Sequence, residues 1–258
     1  MDIVPTRNLV AQAIESARNG RVRNYLVGSA KSASLTNELT LRIGFQNMMT
    51  AASEPGPLLD AHRLCRDLNG YYRTRYSITK LASLVPIICD AISSRNWWKN
   101  GTPKVSDISE SDFDIVSSIV PTILDEASKA GLDRPYSLTT KFLHFCFPES
   151  FGIYDAQAAN SIQTWGYFSF STDDPASSKF YCDQMSNPNG QGYCAIIDFY
   201  RLCWKLATDE QLIDLENAAQ ALTQEIGAPV SSLYIIDNFL WHMKGDPRLL
   251  GLLCKQSS

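Results

Sequence analysis

The chain has 258 residues, 45% of them hydrophobic, and carries 23 Lys+Arg against 27 Asp+Glu for a formal charge of −4. That length can bury a substantial core in one large domain or two modest ones, and no apolar run approaches the ~20 residues of a membrane span. Seven cysteines, an odd number with no C-x-x-C pair, argue against a disulfide frame or a zinc or iron–sulfur site and for reduced thiols in a cytoplasmic protein. No signal peptide is expected at the amino terminus, because Asp2 comes at once and the first helix is amphipathic.

The elements read as helices almost throughout. Apolar spacing predicts a helix over Val4–Asn19, closed by Gly20, and a second from Ser34 to about Ala52. "RNGRVRNY", with Arg18, Arg21 and Arg23, reads as a solvated turn between them. Pro57 opens a helix that stops at Gly70. Ser77–Ser94 and Ser109–Ala130 are strongly apolar helices with internal prolines, Pro86 and Pro121, expected to kink rather than abolish them. A short helix over Ser137–Phe147 is followed by a Pro-containing turn and a helix from about Ala156 to Trp165. The Ser-, Asp-, Asn-, Pro- and Gly-rich stretch 166–192 reads as a long loop or insertion. Helices resume at Tyr193–Ala207, Asp209–Ile226 and Ser231–Lys244. The last closes the core, with Asp237 expected on its exposed side. The expected class is all-α.

Charge is uneven along this chain. Residues 1–105 hold 14 Lys+Arg against 7 Asp+Glu, and residues 106–258 hold 9 against 20. A basic helical subdomain over 1–105 joined to an acidic one over 106–258 suits a protein with one face toward a polyanion. The two are alternatively one integrated domain.

The stretch "TTKFLHFCFPESFGIYDAQ" places a lysine and an aspartate at the ends of an apolar run. At ~100° per residue, Leu138, Phe142, Leu143, Phe145 and Cys146 share an arc, with Lys141 just beyond its edge, between an apolar wall and water or a cleft. Partial burial lowers an amine's pKa and makes a lysine nucleophilic near neutrality. Asp155 stands where a helix N-cap is expected. The bland alternatives are a snorkelling lysine and a plain cap.

"TTKFLHF" and "FGIYDAQAA" resemble the catalytic core of the helix-hairpin-helix DNA glycosylases, on the 8-oxoguanine DNA glycosylase side of that superfamily. The resemblance covers about Thr139–Ala159. It implies two helical subdomains flanking a cleft and a cofactor-free DNA glycosylase with a possible AP lyase step. Lys141 would attack the sugar C1′ and Asp155 would stabilise the developing positive charge. Phe145, His144 and Tyr154 would line or stack on an extruded base. Where the family carries a Gly-rich phosphate-gripping turn, this chain reads "AGLDRPYSLTTK", leaving the Arg134 side chain as the candidate phosphate contact.

Two further stretches mix aromatics with cations, "GYYRTRY" and "SRNWWKNGTPK". Arg73, Arg75, Arg95, Lys99 and Lys104 are candidates for DNA phosphate, and Tyr72 or Trp98 for the wedge that fills a vacated base stack. Both stretches are expected to be loops at one end of the bundle. The alternative function is a non-catalytic helical binding protein that recognises modified DNA or a protein partner, for example in phage defence. The three histidines form no metal-binding spacing, and no phosphate-loop, dinucleotide or nucleophile-elbow motif occurs.

Overall fold

The computed structural model describes residues 4–30, 38–51, 58–74, 76–133, 135–153, 161 and 191–243, and these are mostly helical, with no strand among them. The helices are α1 (Val4–Asn19), α2 (Arg21–Ala30), α3 (Glu38–Ala51), α4 (Leu58–Tyr71), α5 (Ile78–Ser93), α6 (Trp97–Asn100), α7 (Glu110–Ser117), α8 (Ile119–Lys129), α9 (Tyr136–Cys146), α10 (Gln191–Leu206), α11 (Asp209–Ile226) and α12 (Ser232–Met243). The chain is all-α over these residues. The predicted 156–165 helix and the predicted loop 166–192 lie almost wholly outside them.

Local chemistry fixes the helix ends. The Ser77 and Ser109 side chains accept from the backbone N–H groups of Lys80 and Asp112, capping α5 and α7. Thr208 and Gln211 form a reciprocal capping box on α11, which Gly227 closes in the left-handed region at φ 72°. The single helix expected over Ser109–Ala130 is two, broken at Ser118. Pro121 is the reason. It has no N–H to offer residue 117, and its ring crowds that carbonyl, whereas in the first turn of α8 neither matters.

"RNGRVRNY" is also corrected, because its second half is the start of α2. Arg18 pairs with Asp214 at 2.6 Å and Arg23 with Glu225 at 2.5 Å, so part of the amino-terminal basic surplus is neutralised by α11.

Packing sorts the helices into two sets. α1 lies against α2, α10, α11 and α12, while α3, α4, α5, α8 and α9 lie against one another. Gly44 lets α3 and α4 approach closely, since a Cβ there would stand 2.6 Å from Leu64 Cδ2. In the second set, α9 packs on α3, α4 and α8.

Candidate functional site

Every residue of α9 except Ser137 is buried. The expected arc beside water is therefore corrected: Lys141 is 3% exposed rather than lying at a wetted margin. The cause is coverage, because neighbours on several sides enclose a helix whose polar residues, Thr139, Thr140, Lys141 and His144, are turned inward with the rest. Lys141 Nζ donates to Ser137 Oγ at 2.6 Å, one turn earlier, and lies 5.1 Å from the centre of the Tyr72 ring. Tyr72 in turn packs edge-on to Phe145 at 6.2 Å. Phe145, one turn after the lysine and 6% exposed, meets Phe45 at 5.3 Å and the Arg42 guanidinium at 5.3 Å.

His144 acts on the chain that follows. It is fully buried, and its Nδ1 lies 2.6 Å from the Phe151 carbonyl oxygen. A carbonyl only accepts, so Nδ1 carries the proton. Burial, reinforced by the Arg42 charge, pushes the imidazole pKa down to about 3, so the ring is neutral at physiological pH.

The next two residues are held as firmly. Tyr193 Oη donates to the Gly152 carbonyl at 2.7 Å, and the Ile153 N–H donates to Asp237 Oδ1 at 3.2 Å. Tyr200 Oη donates to the same carboxylate oxygen, and its ring lies so close to Gly152 that a Cβ there would stand 2.2 Å from Tyr200 Cε2. Asp237 is 4% exposed, which corrects the expectation of a solvent-facing residue. Residues 151–153 are thus tied to α9, α10 and α12 just ahead of Tyr154 and Asp155. Tyr154, Asp155, Arg75 and Arg134 all lie outside the described residues.

A buried ion pair joins the two sets of helices beside this segment. Arg42 donates through Nε (3.1 Å) and Nη2 (2.9 Å) to Glu38 Oε1, which also accepts from Tyr234 Oη. The Arg42 guanidinium lies 3.8 Å over the Tyr234 ring, and Asn238 Nδ2 donates to Tyr234 Oη at 3.2 Å. Burial drives the Tyr234 and Tyr72 phenols well above their ordinary range, keeping them protonated as donors. None of Glu38, Arg42, Tyr193, Tyr200, Tyr234 or Asn238 was singled out by sequence. Only the four-residue spacing of Glu38 and Arg42 inside an apolar helix pattern carried a visible signal.

The described DNA-contact candidates do not gather in one place. The turn after α4 and the segment after α5 lie at opposite ends of α5, a 16-residue helix about 24 Å long. The expectation of loops at one end of the bundle is corrected, because the 16-residue helix that joins them sets them a helix length apart. Arg73 is exposed, in a turn at φ 51°, and follows Tyr72 in the chain. At the far end, "WWKN" is helix α6 rather than loop. Trp97 is 5% exposed and packs on Phe147 and Phe151. Trp98 is half-buried, with Nε1 donating to Ser93 Oγ at 3.0 Å. Arg95 donates to the Ala91 carbonyl at 2.9 Å, and Lys99 is exposed. Lys104 borders a cleft of about 490 Å³ beside Glu149 and Glu216. Burial raises the Glu149 pKa, and Lys104 partly offsets it.

No protein-family model, curated protein or solved structure matches the chain. Among the described residues no group of three His, Cys, Asp or Glu is placed to hold a metal ion, and no helix is long and apolar enough to cross a membrane. Cys65, Cys89, Cys146 and Cys203 are free and buried. Burial raises each of these thiol pKa values, to about 12 for Cys65 and Cys89, which makes poor nucleophiles of them.

Proposed function

We propose that this protein is a DNA glycosylase that removes a damaged or modified base through the Lys141 amine. The supporting observation is a lysine 3% exposed inside an apolar, aromatic interior, its Nζ 2.6 Å from the Ser137 hydroxyl and 5.1 Å from the Tyr72 ring. Taking an ammonium out of water costs several kcal/mol even when it is paired. A methionine or leucine would fill the same space more cheaply, and polar groups kept at such cost concentrate at functional sites.

In this reading the uncharged amine attacks C1′ and the base leaves with the electron pair of the glycosidic bond. Ring opening then gives a Schiff base, and loss of a C2′ proton with expulsion of the 3′ phosphate is the AP lyase step. Asp155 stabilises the positive charge that develops on the sugar. Tyr72 stands beside the amine to occupy the gap left by the base, Phe145 offers a ring one turn on, and Arg73 meets phosphate at the same end. At 3% exposure the amine is covered, so DNA entry has to uncover it and substrate binding carries a conformational step.

The test is a screen of lesion-containing and phage-modified duplexes for base release. Wild type should release a base from at least one, a folded Lys141→Gln protein from none, and Asp155→Asn should act slowly while still binding. Release by Lys141→Gln at the wild-type rate, or no release from any duplex, would overturn the reading. The second outcome favours a non-catalytic binding protein for modified DNA or a protein partner, in which the Lys141–Ser137 bond is purely internal.

A further inference from the structure

A second cleft, separate from the lysine, lies between α3 and α9 and encloses about 280 Å³. Met49, Phe145, Pro148 and Pro229 give it apolar walls, and Arg42, Gln46 and Thr50 supply its polar side chains, the Thr50 hydroxyl donating to the Gln46 backbone carbonyl at 2.8 Å. Lys141 does not line it.

Arg42 determines what this cleft recognises. It is 6% exposed, so its bonds are made in a medium where an unmatched partner is costly. A guanidinium has five N–H donors. Two are used on Glu38 Oε1 and one, from Nη1, on the Pro229 carbonyl at 3.1 Å. The other two N–H groups have no hydrogen bond among the described residues, and one face of the guanidinium is covered by the Tyr234 ring at 3.8 Å. The positive charge is already balanced by Glu38 at 2.9 Å, so an anion entering the cleft would gain little attraction and lose its hydration. A neutral carbonyl would accept the same N–H groups at far smaller desolvation cost. Gln46, exposed on α3, adds an amide that both donates and accepts. The volume sits at the lower limit of small-molecule sites and suits one or two fused rings.

We propose that the α3–α9 cleft binds a neutral planar heterocycle carrying a lactam edge, a ring carbonyl beside a ring N–H. The carbonyl accepts from Arg42, the N–H donates to the Gln46 side-chain oxygen, and the ring lies against Phe145 and the two prolines. This goes beyond the glycosylase reading and does not require it: the cleft shares the Phe145 ring with that reading but is not lined by Lys141.

Uracil and hypoxanthine serve as probes, with benzoate as the anionic control and toluene as the apolar one. Binding is followed by saturation-transfer NMR and calorimetry. The two lactams should bind with Kd on the order of 1 mM. Gln46→Ala, at an exposed position, should weaken them about five-fold through one lost hydrogen bond. Met49→Trp should fill the cleft and abolish binding, and Lys141→Gln should leave it unchanged. Failure of both lactams to bind would overturn the proposal, as would binding that survives Met49→Trp or matches that of benzoate or toluene. If circular dichroism shows Met49→Trp unfolded, the Gln46→Ala result decides: undiminished affinity overturns the proposal.

Discussion

Gly152→Ala tests the closest approach of a side chain to any described glycine. A Cβ at this position would lie 2.2 Å from Tyr200 Cε2, 2.9 Å from Cζ and 3.0 Å from Oη, where ordinary contact begins near 3.4 Å. The ring must retreat by about 1 Å, yet Tyr200 is fully buried and its hydroxyl is bound to Asp237. The backbone cannot yield instead without breaking the bonds of the Phe151 and Gly152 carbonyls to His144 and Tyr193. Overpacking alone costs about 1–3 kcal/mol, and one strained or lost buried hydrogen bond adds about 1 kcal/mol. We expect a loss of about 3 kcal/mol, or roughly 6–12 °C in Tm for a chain of this size. Urea denaturation measures it. Gly70→Ala is the internal control, since a Cβ on this α4 residue meets nothing within 4 Å. It should stabilise by about 0.5–1 kcal/mol through helix propensity. On a Tyr200→Leu background, which removes the ring edge, Gly152→Ala should become nearly neutral. A loss below about 0.5 kcal/mol in the wild-type background, or strict additivity of the two substitutions, would refute the clash.

Three further outcomes follow from the same geometry. His144 has a folded pKa near 3 against an ordinary value of 6.5, so below pH 6.5 the unfolded chain takes up a proton that the folded one refuses. Stability is therefore complete above pH 6.5 and falls as pH drops toward 3, by about 2 kcal/mol at pH 5; urea midpoints should show this slope in wild type and lack it in His144→Gln. Ser137→Ala removes the hydroxyl 2.6 Å from Lys141 Nζ, and the rate of base release should fall while DNA affinity holds; Ser137→Thr should restore the rate. Arg18→Ala and Arg23→Ala break exposed ion pairs with α11 and should each cost under about 1 kcal/mol in urea melts, less still at high salt.

Helix positions were legible in the sequence wherever one turn of chemistry decides them. Thr208, Gln211 and Gly227 mark the ends of α11, and Ser77 marks the start of α5, before any tertiary contact is known. Side-chain environment was not legible where the other side of the helix is supplied by distant chain. The periodicity of α9 suggests one apolar arc, yet the helix is enclosed all round, because α3, α4 and α8 meet it from several directions. Asp237 looks exposed among apolar neighbours for the same reason. Its partners, Tyr200 and Ile153, lie 37 and 84 residues away. The lysine itself stood out as the one cation in a greasy stretch, while its hydroxyl and ring neighbours emerged only from the fold.

The most direct test of the lysine's role is chemical capture. Wild-type protein is incubated with a duplex bearing an abasic site or lesion, reduced with borohydride, digested and analysed by mass spectrometry. A covalent protein–DNA adduct on the peptide containing Lys141, absent from Lys141→Gln, is the result expected of a buried amine that attacks C1′. An adduct on another lysine or on the terminal amine, or none with any duplex, would contradict it.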